Sequence, residues 1–355
     1  MKKAVGRMLS LKDREWAVFR FDEIFTSIQR GKRFRTADHI TGLEPYVSST
    51  STNNGINAFI SNDKRARTFR DCLTVANSGS IGSTFYHRYG FIASDHVTQL
   101  KSPHFGKYIY LFLSPVIARL SEKYSFNREI SDKRIKKERL LLPVDKLKAP
   151  DWQFMQSYVR EREQSQLEEY IDYAKKVLTD IGYVEEVLLL KEKEWKPFML
   201  SDIFDIRVGK RLTRADMRIG SRPFIGATDA NNGITGFVSN NNISLDSNVL
   251  GVNYNGSVVD TFYHPYECIF SDDVKRFFLK ITAPNRYLYL FLKNAIVQQK
   301  VKYAYGYKFN EKRMKKQLLL LPVKFGTNEP DWAYMEQYAK VITKQQLMAY
   351  LNQKV

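Results

Sequence analysis

The residues of this chain best suited to chemistry are cations and amides gathered in polar, turn-rich stretches. Arg and Lys neutralise phosphates and can bond guanine with two prongs, and Asn can do the same for adenine. The first half offers Lys32, Arg33, Arg35, Asn53, Asn54, Lys64, Arg65, Arg67, Arg70, Asn77 and Ser78, with Lys133 and Arg134 further on. The second half offers Lys210, Arg211, Arg214, Asn231, Asn232, Asn253, Tyr254 and Asn255, with Lys312 and Arg313 further on. Across 355 residues, 56 Lys and Arg face 38 Asp and Glu, a formal net charge of +18. Such an excess on a folded chain favours nucleic acid or an anionic membrane surface as partner. Each group also has a plainer reading. The Asn-Asn-Gly stretches suit turns that need positive φ, and Gly79-Ser80 and Gly256-Ser257 suit tight turns.

Catalytic constellations are missing. No HExxH, no His/Cys ligand spacing and no GxSxG occurs. Gly31-Lys32 and Gly209-Lys210 resemble the end of a phosphate loop, but neither is followed by Ser or Thr. No Asn-Pro-Pro-Tyr motif of an amino-methyltransferase appears. The pairs Asp95/Asp272 and His87/His264 could supply bases or ligands, though an Asp in such a place more often caps a turn. Cys72 and Cys268 are the only cysteines and do not occupy matching positions, so neither a disulfide framework nor a Cys-based zinc site is expected. The expectation is a chain with no catalytic residue, no metal and no cofactor.

The positioning elements come in duplicate. Trp16 returns as Trp195, Ile24-Phe25 as Ile203-Phe204, and Gly31-Lys32-Arg33 as Gly209-Lys210-Arg211. Asn53-Asn54-Gly55 returns as Asn231-Asn232-Gly233, Phe85-Tyr86-His87 as Phe262-Tyr263-His264, and Pro150-Asp151-Trp152 as Pro330-Asp331-Trp332. The offset stays between 177 and 180, far too long for a solenoid or a propeller blade. Short β-branched and aromatic runs bounded by Asn, Gly and Ser alternate with helical spacing at 107–120 and 286–297, so each copy reads as α+β. After Asp151 a Gly- and Pro-free amphipathic stretch runs to about Ile181, and a second runs from Asp331 to near Leu351. The expected domains are 1–150 and 191–329, each followed by a helix, at 151–190 and 330–355. The two helices are expected to pack as an antiparallel pair in a pseudo-two-fold chain; the alternative is that each packs only on its own domain. About 30 helical residues span about 45 Å, enough to hold two reading heads one DNA turn apart. No apolar run approaches a membrane span and no signal peptide is visible, which points to the cytoplasm.

Taken with Gly79-Ser80-Ile81-Gly82, Leu142-Pro143 and Leu321-Pro322, this duplicated pattern resembles the specificity subunits of type I restriction–modification systems and the related type IIB subunits. The likeness covers nearly the whole chain. It implies two target-recognition domains, each reading half of a split duplex DNA site, with the helices setting the gap. It also implies docking of adenine-methylating methyltransferase subunits on the helices, where Tyr158, Tyr170, Tyr338 and Ile342 are the candidates. In complete type I enzymes a translocating restriction subunit joins. The short helices fit either a compact type IIB-like arrangement or a short-gap type I subunit. The rival readings are a protein–protein adaptor and a nuclease or DNA-modifying enzyme.

Overall fold

The computed structural model of the chain describes residues 7–62, 66–125, 127–281, 283–303 and 307–354. The chain divides into two compact units, Met1–Tyr170 and Ile171–Val355.

In the first unit the order is β1 (Glu15–Arg20), α1 (Phe21–Ile24), β2 (Ser27–Arg30), β3 (Thr41–Val47), β4 (Ile56–Ile60), β5 (Thr68–Phe69), β6 (Cys72–Ala76), β7 (Thr84–His87), β8 (Phe91–Ala93), β9 (Val97–Lys101), α2 (Lys107–Ala118), α3 (Asp132–Lys137), β10 (Arg139–Val144) and the long α4 (Trp152–Ile181), whose last turns belong to the second unit. One antiparallel sheet has the order β2-β9-β6-β7. A second has the order β4-β3-β8-β5, with β3 and β8 parallel. The β1–β10 pair is a separate ribbon. Every residue of β6 is buried, as expected for a short apolar run in the middle of a sheet. On α2, Ile109, Tyr110, Phe112, Leu113 and Ile117 are buried at helical spacing. Tyr110 is wholly buried, so its hydroxyl needs partners. It accepts the Ser102 N–H at 3.1 Å and donates to the Ser102 carbonyl at 3.0 Å, while its ring stacks on Tyr86 at 5.4 Å.

The second unit repeats this wiring through β11 (Trp195–Met199), α5 (Leu200–Ile203), β12 (Phe204–Val208), β13 (Ile219–Ile225), β14 (Ile234–Val238), β15 (Val249–Asn253), β16 (Thr261–His264), β17 (Ile269–Phe270), β18 (Val274–Leu279), α6 (Arg286–Val297), α7 (Glu311–Lys316), β19 (Leu318–Pro322) and α8 (Trp332–Lys354). The sheets are β12-β18-β15-β16, β14-β13-β17 and β11-β19. Tyr289 stacks on Tyr263 at 5.2 Å, matching the Tyr110–Tyr86 pair. Trp16 on Phe112 and Trp195 on Phe291 both lie at 6.4 Å. The α+β duplication expected from the sequence is therefore present down to individual ring contacts.

Each long helix starts on the domain that precedes it. Asp151 accepts the Phe154 N–H at 2.8 Å and pairs with Arg14 at 2.8 Å. Asp331 accepts the Tyr334 N–H at 3.0 Å and pairs with Lys193 at 2.8 Å. Met155 and Met335 are fully buried in their respective cores. Tyr158 meets Phe112 edge-on at 6.0 Å, and Tyr338 meets Phe291 at 5.9 Å. These two tyrosines, the expected partner contacts, are half-buried against their own domains, because the first turns of each helix close the domain core. Tyr170 is 39% exposed, and Ile342 is half-buried.

The later turns behave differently. Gly182, at φ +64°, ends α4 by donating to the Leu178 carbonyl at 3.1 Å. Ala174, Val177 and Ile181 of α4 cluster with Leu347 and Leu351 of α8, and Lys344 Nζ donates to the Gly182 carbonyl at 3.0 Å. Docking on the parent domain and helix-to-helix pairing thus occur on different turns of the same helices.

Replacing Asp331 with Ala removes a cap and leaves the nearly buried Lys193 ammonium, 11% exposed, without its carboxylate. The expected loss is about 1–2 kcal/mol in urea unfolding of the second unit. Asp331→Asn keeps an acceptor for Tyr334 and should lose less. An unchanged midpoint for Asp331→Ala would show that the cap contributes nothing.

Candidate nucleic-acid interface

The Gly-Lys-Arg stretches lie where β2 and β12 leave their sheets. The Lys32 N–H donates to the Ala93 carbonyl at 2.9 Å, and the Lys210 N–H to the Phe270 carbonyl at 2.8 Å. The glycines lie so close to the next chain segment that a Cβ on Gly31 would sit 2.2 Å from the Ser94 carbonyl oxygen. On Gly209 it would sit 2.0 Å from that of Ser271. With the backbone pinned, Lys32, Arg33, Lys210 and Arg211 are exposed. Arg211 lies 4.0 Å from Asp272. Arg35 and Arg214 are exposed beyond them, Arg35 paired to Asp38 at 3.1 Å. These positions suit phosphates.

The Asn-Asn-Gly turns resolve into two roles. Asn53, Asn54, Asn231 and Asn232 all have φ between +51° and +55°, followed by Gly55 at +77° and Gly233 at +78°. Three successive left-handed residues explain the composition. The side-chain amide of Asn54 donates to the Tyr89 hydroxyl at 2.9 Å, and that of Asn232 to the Tyr266 hydroxyl at 2.9 Å. The second Asn therefore holds the turn, half-buried at Asn54 and exposed at Asn232, whereas Asn53 and Asn231 are both exposed.

The β6–β7 and β15–β16 connections turn their polar side chains inward. Asn77 is 1% exposed; its Oδ1 accepts from Thr98 at 2.7 Å and its amide donates to the Asp95 carbonyl at 3.3 Å. Ser78 is buried at 2.5 Å from His96 Nδ1. Asn253 is also 1% exposed and donates to the Thr228 carbonyl at 3.0 Å. Asn255 donates to Asp273 at 2.9 Å, and Tyr254 is half-buried beneath Lys275, whose ammonium lies 4.8 Å from its ring. These five side chains knit loops together and do not offer a free edge to a base. A buried amide must spend its bonds internally.

The basic segments at α3 and α7 divide in the same manner. Lys133 and Lys312 are exposed. Arg134 donates to the Glu129 carbonyl at 2.8 Å, and Arg313 to that of Lys308 at 2.6 Å while lying 3.6 Å over the Tyr307 ring. Arg65, with Lys64, lies outside the described residues. Arg70 is exposed.

A pair of arginine contacts was not visible in the sequence. Arg67 Nη1 donates to the Arg30 carbonyl at 2.6 Å. In the second domain the carbonyl at the corresponding place, Val208, accepts from Arg276 Nη2 at 2.7 Å. Arg276 comes from β18, not from a loop, and is 5% exposed. Its match in the first domain is Gln99, so comparing the repeats concealed it. The only signal available was a cation inside an apolar strand.

His87 and His264 are fully buried, which argues against acid–base work. Burial lowers His87 to about 4; burial, followed by the nearby Lys293 charge, lowers His264 to about 3. His87 Nε2 lies 2.8 Å from the Thr74 hydroxyl. Gly251 takes that place in the second domain, and His264 Nε2 has no partner among the described residues. Burial likewise raises both cysteine thiols to about 12. No group of His, Cys, Asp and Glu among the described residues is arranged to hold a metal. Because both folded-state histidine values are depressed, the unfolded chain binds protons below about pH 6.5 while the folded chain does not. Stability from this source is complete above that pH and is lost as pH falls toward 4, by up to about 1.4 kcal/mol per unit for each histidine. A His87→Phe/His264→Phe variant should show a shallower loss between pH 6.5 and 4 in denaturant titrations; equal slopes would refute the neutral-burial account.

The family model for the type I restriction modification DNA specificity domain matches residues 13–172 and again 192–353. The protein named "Type II restriction enzyme BgcI specificity subunit S.BcgI", from Heyndrickxia coagulans, is 42% identical over 296 residues, covering 83% of this chain and 84% of that one. Among solved structures, the type I restriction-modification S subunit from M. genitalium is 15% identical, with 97% of this chain and 94% of that chain covered at a TM-score of 0.46. The HsdS subunit from Thermoanaerobacter tengcongensis is 14% identical, with 96% and 92% covered at a TM-score of 0.34. On its sequence, this chain belongs to the type I restriction–modification DNA specificity domain family and carries that domain twice.

Proposed function

We propose that the chain is the non-catalytic reader of a restriction–modification complex, each domain recognising one half of a bipartite duplex DNA site. The observation that carries this reading is the recurrence of one presentation device in both domains. A glycine pressed against a neighbouring backbone forces the next two cations, Lys32-Arg33 or Lys210-Arg211, into solvent. Lys133 and Lys312 add a further exposed cation to each domain. Exposed cations pinned at the backbone fix register on phosphates, and the surrounding loops are left to read bases. Burial of His87 and His264 leaves neither repeated histidine placed to act as a base toward DNA.

The methyltransferase subunits are proposed to dock on the helical part of the chain. Tyr170 remains a candidate there, and Ile342 another, beside Leu290, Phe291 and Thr343 in a groove of the second unit. Tyr338 lines the same groove with its ring on Phe291, whereas Tyr158 packs on Phe112 of its own domain. A 30-residue α4 spans about 45 Å, comparable to one turn of DNA, and suits a spacer that sets the gap. The Heyndrickxia relative is named a type II specificity subunit, which favours the compact type IIB-like arrangement. A restriction activity would reside in partner subunits. Among the described residues no helix is long and apolar enough to cross a membrane, and a cytoplasmic location fits a DNA reader.

Selection from randomised duplexes, with the chain purified from its host together with what copurifies, should enrich two short motifs at a fixed spacing. Affinity should fall with a log–log salt slope of roughly −6 to −10 if each domain neutralises several phosphates. An active complex that contains a methyltransferase subunit yet enriches no motif would transfer the specificity role elsewhere and leave this chain an adaptor.

A further inference from the structure

The β14–β15 connection, residues 239–248, is locked at both ends and exposed at its tip. At the start, Asn240 Oδ1 accepts the Arg218 N–H at 2.7 Å, its amide donates to the Asp216 carbonyl at 3.0 Å, and its own carbonyl accepts from Arg222 at 2.6 Å. At the far end Asp246 and Cys268 exchange backbone hydrogen bonds at 3.0 Å. Between them Asn242 Oδ1 accepts both the N–H and the hydroxyl of Ser244, at 2.8 and 2.6 Å. Ser244 is fully buried, whereas its neighbour Ile243 is 80% exposed and Asn241 is exposed too. An isolated exposed Ile needs no explanation. An exposed Ile on a backbone fixed from both sides is a different object, because its position is determined before any ligand arrives.

What fixes it also fixes the phosphate-facing cations. Arg276 donates to the Ile243 carbonyl at 3.3 Å and to the Val208 carbonyl at 2.7 Å, and pairs with the Asp246 carboxylate. Val208 directly precedes Gly209-Lys210-Arg211. The Phe270 carbonyl accepts from Lys210 N–H at 2.8 Å, and the Phe270 N–H donates to the Ser244 hydroxyl at 3.0 Å. One buried guanidinium and the Phe270 backbone therefore hold the Ile243 tip in fixed register with Lys210 and Arg211. The first domain keeps the frame: Asn62, matching Asn240, accepts the Ile40 N–H at 3.0 Å and donates to the Asp38 carbonyl at 2.8 Å. There too a guanidinium, that of Arg67, binds the carbonyl just before Gly31-Lys32-Arg33. The same linkage reached from two different sequence positions marks it as a requirement of the domain.

Building on the DNA-reader proposal, we infer that the 239–248 loop is the base-reading element of the second domain, with Ile243 packing on the 5-methyl group of a thymine in the major groove and Arg276 as the positioning residue. Apolar contact with that methyl is one of the few ways an aliphatic side chain distinguishes a base pair.

The test uses the copurified complex and the half-sites found by selection. Each thymine of the second half-site is replaced in turn by uracil, which deletes only the methyl group. One replacement should weaken binding about threefold to fivefold, the value of one buried methyl. Ile243→Ala should lose that response, relax the same position on reselection, and leave the first half-site unchanged; at 80% exposure the substitution spares the fold. Arg276→Gln, which installs the side chain that the first domain has as Gln99, should relax the second half-site while the first half-site is read as in the parent. Should Arg276→Gln fail to fold, the Ile243→Ala arm decides alone. Uracil tolerated at every position, an unchanged uracil response in Ile243→Ala, or loss of a copurifying subunit with the motif intact would each overturn the inference while leaving the bipartite reader in place. Enrichment of no motif at all would remove both.

Discussion

The arrangement depends on a close approach of two backbones: Gly31 against Ser94 in one domain, Gly209 against Ser271 in the other. Any side chain at either glycine would meet a carbonyl oxygen far inside van der Waals contact, and that carbonyl cannot retreat without breaking its own hydrogen bond from Val97 or Val274. The glycine lets the strand end lie against the β8–β9 turn, or β17–β18 in the repeat. The following Lys and Arg then have no choice but to face water. A long flexible cation on a fixed backbone costs less to order on a phosphate than one on a mobile loop.

Around this contact the polar residues sort by burial. Asn54, Asn77, Asn232 and Asn253 each donate a side-chain hydrogen bond within the domain. Exposed neighbours such as Asn53, Asn231, Lys133 and Lys312 do not contribute to that framework. The domain thus keeps a rigid polar interior beneath a variable polar exterior. The same division appears on the helices, whose first turns complete a domain core and whose later turns pair with each other. Duplication preserved much of the interior, including the stacked tyrosines and the β1 and β11 tryptophans packed on α2 and α6. It let the exterior loops and their internal supports diverge, as in Thr74 against Gly251 and Gln99 against Arg276.

The sequence by itself determined the duplication, the α+β character, the two long helices with their Asp caps and the family. Each of these rests on local or periodic signals: the 177–180 offset, apolar spacing, and a Gly- and Pro-free stretch between Asp151 and Gly182. The exposed Gly-Lys-Arg cations were legible for the same reason. Only the tertiary structure decided which amides are free. Asn77 is consumed by Thr98 and Asp95, some twenty residues on, and nothing in the local sequence announces such a bond. Arg276 likewise meets Asp246 across thirty residues and Val208 across sixty-eight. Whether a polar side chain supports a loop or faces a ligand depends on what the fold brings to it, and that is a property of long-range packing, which residue type and spacing do not encode.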